Sequence, residues 1–131
     1  MILDTTFLID LLRGEDEKVK WKSEELDEKF SIKAISSITM MELWRGALQS
    51  INQEKEKKKI QELLHSLLNY SFSEEEAKKS AEIEVELIKS GKLVDIEDIM
   101  IAGTALIKNE KILTRNIKHF NKIKGLDLEE Y

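Results

Sequence analysis

The chain opens with MILDTTFLIDLLRG, residues 1–14, and the reading of Asp4 within it decides the fold. Met1 to Leu3 form a short apolar run that ends at Asp4. Thr5 and Thr6 follow, then apolar residues at helical spacing from Phe7 to Leu12, and Gly14 as a stop signal. An aspartate in front of such a run is ordinary helix-capping chemistry. It is equally the way a buried strand presents a carboxylate at its C-terminal end, where open α/β sheets build their sites. Asp4 is therefore either a cap or the first of a set.

The rest of the chain favours strands alternating with helices. A charged segment from Glu15 to Lys29, carrying Val19, Leu26 and Phe30, reads as a surface helix. Ile32 to Ser36 reads as a second strand and Thr39 to Leu48 as the helix after it. QEKEKKKIQELLHSLLN is a long amphipathic helix. Its EKEKKK string reads as a solvated face, because glutamates interleave with the lysines. Tyr70 to Phe72 is a short third strand, and SEEEAKKSAEIEVELIKSG is a helix with an acidic first turn and a terminal Gly91. A helix over Ile96 to Lys108, the strand Lys111 to Thr114, a short helix at Ile117 to Phe120 and a strand at Leu126 to Leu128 complete the pattern. Such alternation gives an α/β fold with a mainly parallel sheet covered on both faces.

Length and composition bound the chemistry. With 131 residues, 41% hydrophobic and 36% charged, the chain is expected to form one domain, residues 1–131, with a heavily charged surface. No apolar run is long enough to span a bilayer, and the N-terminus lacks a signal-peptide pattern, so a cytoplasmic location is expected. The absence of cysteine rules out a thiol nucleophile and thiolate-bound zinc, and only His65 and His119 offer imidazoles. Any resident metal is left with oxygen donors. The net charge of −5 argues against broad nonspecific binding to nucleic acid while allowing a local basic rim.

The acids fall where an α/β sheet would use them. Asp4 follows the first strand, Glu42 sits one turn into the helix after the second, Asp98 begins IEDIMIAGTAL, and Asn116 follows KILT. Structural roles are available for three of them. Asp4 and Asn116 are good N-caps, and Asp95 to Asp98 has capping-box spacing. Glu42 is harder to explain away, since it lies between Met41 and Leu43 in an otherwise apolar helix and needs a partner there. Gly46 costs roughly 1 kcal/mol in a helix interior, which suggests a close approach; Gly103 in IMIAGTAL invites the same reading. Clustered carboxylates repel unless a cation neutralises them. With oxygen ligands the natural ion is Mg²⁺ or Mn²⁺, which can acidify and orient a water and stabilise charge on a phosphodiester. The sequence points to metal-assisted phosphodiester hydrolysis.

Three stretches, ILDTTFLIDLLRG, SSITMMELWRGA and DIMIAGTALIKNEKILTRNIKHF, resemble the PIN domain, and within it the VapC-type ribonuclease toxins of prokaryotic toxin–antitoxin pairs. The resemblance implies a three-layer α/β/α sandwich and a metal-dependent endoribonuclease that leaves a 5′-phosphate and a 3′-hydroxyl. It assigns Asp4, Glu42 and Asp98 as metal-binding acids and Asn116 as a fourth polar position. Thr6 is then the hydroxyl beside the first acid, and Thr114 helps shape the pocket. It further implies a homodimer and a small antitoxin whose tail places a basic residue near the acids. Arg45, Arg115 and Lys118 are the candidates for holding RNA phosphates. Asp10 reads as structural, paired with Arg13 or Arg45. His119 reads as packed or partner-facing, and Trp44 as core or dimer interface in preference to a base-stacking platform.

Three alternatives stand beside this reading. A housekeeping RNA-processing PIN nuclease would use the same acids. An inactive scaffold acting through partner binding is opposed by the intact Asp4, Glu42 and Asp98. A phosphotransferase with an aspartyl nucleophile, of the haloacid dehalogenase kind, needs a second acid two residues after the first, where this chain has Thr6. A P-loop NTPase is excluded by the lack of a Gly-rich loop with lysine.

Overall fold

The structure, a computed structural model, describes residues 1–29 and 32–131. The order of elements is β1 (Ile2–Leu3), α1 (Thr5–Arg13), α2 (Glu17–Lys29), β2 (Ala34–Ser36), α3 (Ser37–Leu48), α4 (Gln53–Leu64), β3 (Leu68–Tyr70), α5 (Glu74–Lys89), α6 (Ile96–Lys108), β4 (Ile112–Thr114), α7 (Ile117–Phe120) and β5 (Leu128–Glu130). The five strands form one sheet in the order β3-β2-β1-β4-β5, with every neighbouring pair parallel. The chain builds outward from β1 to one edge, then crosses to build the other. The switch point therefore lies between β1 and β4, the position at which open α/β sheets leave a crevice.

Alternation along the strands divides the core into two layers. Leu3, Ile35 and Leu113 face one side and pack with Phe7 and Leu8 of α1, Val19 and Leu26 of α2, Leu43 of α3 and Ile60 of α4. Ile2, Ala34 and Ile112 face the other and pack with Ile83 of α5, Ile101 and Ala105 of α6, and Phe120 of α7. Successive strand residues point to opposite faces, so runs of two or three residues buried on both sides hold a three-layer α/β/α sandwich together. Burying each such Ile or Leu contributes about 1.5–3 kcal/mol. Phe30, read with the surface helix of Glu15 to Lys29, falls outside the described residues.

Helix ends follow local chemistry. Gly14 closes α1 at φ 66° with its N–H on Asp10 O, a left-handed conformation that costs glycine little. Asn109 plays the same part after α6 at φ 52°, one of the few other residues that tolerates it. Ser36 caps α3 by accepting the Thr39 N–H at 3.2 Å, which starts the helix at Ser37, two residues before the expected Thr39.

The two edge strands depart most from the sequence reading. β3 lies at Leu68–Tyr70 where Tyr70 to Phe72 was expected, and β5 at Leu128–Glu130 where Leu126 to Leu128 was expected. Leu67 and Leu68 continue the helical spacing of Leu63 and Leu64, but backbone pairing with β2 sets the register, with Ala34 opposite Leu68. Likewise Ile112 opposite Leu128 carries β5 into two glutamates that no hydrophobic pattern would have marked. No helix among the described residues is long and apolar enough to cross a membrane.

Candidate active site

Asp4 stands directly after β1, with its backbone N–H on Leu113 O of β4 at 3.0 Å. It occupies the N-cap position of α1, yet its side chain makes no capping bond. One carboxylate oxygen, Oδ2, instead accepts from Thr6 Oγ1 at 2.8 Å and from Thr114 Oγ1 at 2.7 Å. Thr114 ends β4 and in turn accepts the Asn116 N–H at 2.9 Å. Asp4 is 2% exposed, and hydroxyls from both sides of the switch point satisfy it. The Asp4 carboxylate thus belongs to the crevice, and the helix start manages without it.

Glu42, on the second turn of α3, is half-buried. Its Oε1 accepts from Thr5 Oγ1 at 2.7 Å, and Thr39 Oγ1 lies 3.0 Å behind that hydroxyl. Burial raises the pKa of Glu42 first; the Thr5 bond opposes this, and the charges of Asp4 and Glu97 push it up again. Asp98, in the first turn of α6, is pushed up to about 6, first by burial and then by the Asp4 charge. Of the two readings of His119, packed or partner-facing, its exposure removes the packed one. The side chain is exposed on α7 with Nδ1 3.4 Å from Asp98 Oδ2, and this contact pulls Asp98 partly back down.

Asp95 is the N-cap of α6 without a side-chain capping bond, and Asn116 is the N-cap of α7 in the same state. The capping roles that the sequence offered for Asp4, for Asn116 and for the Asp95–Asp98 pair are thus not taken up by the Asp4, Asn116 and Asp95 side chains.

Of the basic candidates, Arg45 lies between two acids, 3.9 Å from Glu42 Oε2 and 3.8 Å from Glu97 Oε1. Arg115 binds Asp10 through Nη1, at 3.0 and 2.8 Å from its two oxygens. The Asp10 partner expected at Arg13 or Arg45 is therefore Arg115, because α1 runs past the end of β4 and brings residues 10 and 115 together. Lys118 is exposed and pairs with no acid among the described residues. Trp44 packs against the α1–α4 core layer with Lys57 Nζ 5.7 Å over its ring.

Sequence reasoning missed Thr5, Thr39 and Glu97. The signal for Thr5 was present in Asp4-Thr5-Thr6, since successive residues at a helix start point to different neighbours, one hydroxyl to each acid. Glu97 was overshadowed by Asp98 beside it. Gly46 is exposed, and a Cβ there would meet nothing within 4 Å, so the expected close approach is absent. Gly103 does have one: a Cβ would strike the Ser80 hydroxyl and lie 3.2 Å from Glu76 O and Ser80 N of α5.

The donor set suits a hard divalent ion. Asp4, Glu42 and Asp98 offer only oxygen, and the raised pKa values of Asp98 and Glu42 mark negative charge without enough compensation. Among the described residues no three acids are close enough to enclose an ion by themselves.

Comparison with known proteins gives the family. A family model described as PIN domain matches residues 1–126. Ribonuclease VapC1 of Methanocaldococcus jannaschii is 33% identical over 132 aligned residues, covering 100% of this chain and 86% of that protein. The tRNA(fMet)-specific endonuclease VapC of Salmonella typhimurium is 31% identical over 117 residues, covering 86% of this chain and 89% of its own. Among solved structures, VapBC2 from Rickettsia felis bound to a promoter DNA fragment superposes with a TM-score of 0.91 at 28% identity, covering 99% of this chain and 97% of that one. With a family match running from the first strand into the last loop, the chain belongs to the PIN domain family.

Proposed function

We propose that this chain is a divalent-metal-dependent endoribonuclease and the toxin of a toxin–antitoxin pair. The observation that carries the chemistry is Asp4: a 2% exposed carboxylate fixed by two hydroxyls, whose charge helps lift Asp98 to about 6. Asp4, Asp98 and Glu42 would hold the ion, Mg²⁺ or Mn²⁺. Bound there, it would supply Lewis-acid stabilisation of a phosphodiester and acidify a water. Thr6 and Thr114 keep Asp4 in one orientation, Thr5 does the same for Glu42, and Asn116 adds a neutral polar group beside the site. Arg45, Arg115 and Lys118 form the rim for RNA phosphates. The toxin role, a small antitoxin, a homodimer and a cytoplasmic location complete the reading. Relatives named as VapC ribonucleases and VapBC complexes of the same fold support the ribonuclease, toxin and antitoxin parts of it.

The test is cleavage of a mixed RNA pool with Mg²⁺, with Mn²⁺ and with EDTA, using wild type beside folded Asp4→Asn and Asp98→Asn. Cleavage that requires both metal and both acids is expected. A folded wild-type protein that cuts no RNA, and whose calorimetric titration with either ion is flat, would overturn the nuclease reading.

A further inference from the structure

Asp10 lies on α1 with its side chain 11% exposed. A carboxylate so withdrawn from water requires donors, and they come from distant parts of the chain. Arg115 Nη1 reaches both oxygens, and the Tyr131 hydroxyl donates to Oδ2 at 2.8 Å. Each partner is anchored elsewhere. Arg115 follows Thr114, whose hydroxyl bonds Asp4 at 2.7 Å, so the backbone at Arg115 is fixed beside the first acid. Tyr131 follows β5, and its ring stands edge-on to Phe7 of α1 with centroids 4.9 Å apart. Burial first pushes the phenol's pKa up; the neighbouring Thr6 hydroxyl opposes this and the Asp10 carboxylate adds to it, so the hydroxyl remains a donor.

Both contacts to Asp10 use Nη1 alone, so the Nη2–Nε edge of Arg115 is not engaged by it. That edge pairs with phosphate through two parallel bonds. An isolated ion pair with a partner that is 49% exposed, as Arg115 is, adds little stability. A largely covered carboxylate, a phenol and an aromatic anchor are a large outlay for so small a return in folding. They do hold one cation steady at the rim of an acidic crevice that would otherwise repel a polyanion. Arg45 is already shared between Glu42 and Glu97.

We propose that Asp10 and Tyr131 are positioning residues which together aim Arg115 at an RNA phosphate next to the scissile bond. This rests on the nuclease reading above. Steady-state cleavage of a labelled RNA that the wild-type protein cuts tests it, with Arg115→Ala, Arg115→Lys, Asp10→Asn, Tyr131→Phe and the Tyr131→Phe/Arg115→Ala double variant. Arg115→Ala is expected to raise KM about tenfold and to flatten the dependence of log KM on log salt by about 0.7. Arg115→Lys, which keeps the charge but not the fork, restores the salt slope and only part of the KM. Asp10→Asn and Tyr131→Phe raise KM about threefold, more than they lower kcat, and Tyr131→Phe adds nothing once Arg115 is alanine. Tyr131→Phe keeps the ring against Phe7, so it carries the test if Asp10→Asn fails to fold. An equal effect of Tyr131→Phe in both backgrounds, or a lower melting temperature with KM and salt slope unchanged, overturns the inference and leaves the pair a packing feature. If the wild type cuts no RNA, the nuclease reading falls and takes this inference with it. Cleavage by the wild type with unresponsive variants sinks the inference alone.

Discussion

The α5–α6 seam and the crevice both withdraw carboxylates from water, and they treat them oppositely. At the seam between α5 and α6, Glu76 is 2% exposed. The Ser73 N–H donates to its Oε2 at 3.1 Å, the Ser73 hydroxyl donates to the same oxygen, and Lys108 Nζ lies 3.9 Å from Oε1. Its pKa is held down, chiefly by the Ser73 hydroxyl. In the crevice, Asp98 is pushed up to about 6 because burial is compounded by Asp4, and Glu42 moves the same way. Burial alone does not distinguish the two places; the neighbours do. An acid supplied with donors holds a helix start in place, whereas an acid supplied with other acids creates a demand for a cation.

The sharpest break between the two regions is expected from Asp4→Asn, which should lower metal-dependent RNA cleavage about a thousandfold, roughly 4 kcal/mol of transition-state stabilisation, while the fold survives by circular dichroism. Retention of a tenth of the activity would show that Asp4 is not a metal ligand. Next in size is Gly103→Ala at the seam. The added methyl meets Ser80 and the α5 backbone, and overpacking of this kind should cost about 2–3 kcal/mol and lower the melting temperature by about 10 °C. Cleavage at 20 °C should stay within about threefold of wild type, and an unchanged melt would contradict the contact.

Asp98→Asn should do the reverse in the metal-free protein. Folded Asp98 holds its proton up to pH about 6, against an ordinary 3.8, so the folded state binds more protons than the unfolded chain across that window. The contribution is fully present below pH 4 and is lost as pH rises towards 6. Urea denaturation in EDTA should therefore find Asp98→Asn indistinguishable from wild type near pH 4 and about 1–3 kcal/mol more stable at pH 7. A difference independent of pH would remove the electrostatic account. The smallest effect belongs to Glu76→Gln, which keeps the shape but weakens the bonds to Ser73. A loss of about 1 kcal/mol at pH 7 is expected, opposite in sign to Asp98→Asn, and a gain in stability would erase the contrast between the two regions.

Much of the crevice was legible because its residues are tied to local elements. A strand that ends in Asp4, a strand that ends in Thr114 and helices that begin near Glu42 and Asp98 are all set by short-range pattern, and β1, β4, α6 and α7 fell within a residue of their expected bounds. What failed was long-range. Gly46 and Gly103 look alike in sequence, each inside an apolar helical stretch, yet only Gly103 has a neighbouring helix pressed against it. Nothing near Asp10 in the chain announced Arg115 or Tyr131 as its partners.

The sequence by itself determined the alternation of strands and helices, the oxygen-only donor set and the placement of one acid after each of two strands and at the start of a helix, because propensity, capping and periodicity act over a few residues. The tertiary structure decided which carboxylates face one another, which glycine is crowded, where the edge strands pair and which cation Asp10 holds. Those depend on parallel pairing and helix docking between residues more than a hundred positions apart in the case of Asp10 and Arg115, and Coulomb interaction and close packing act through space, without regard to separation along the chain.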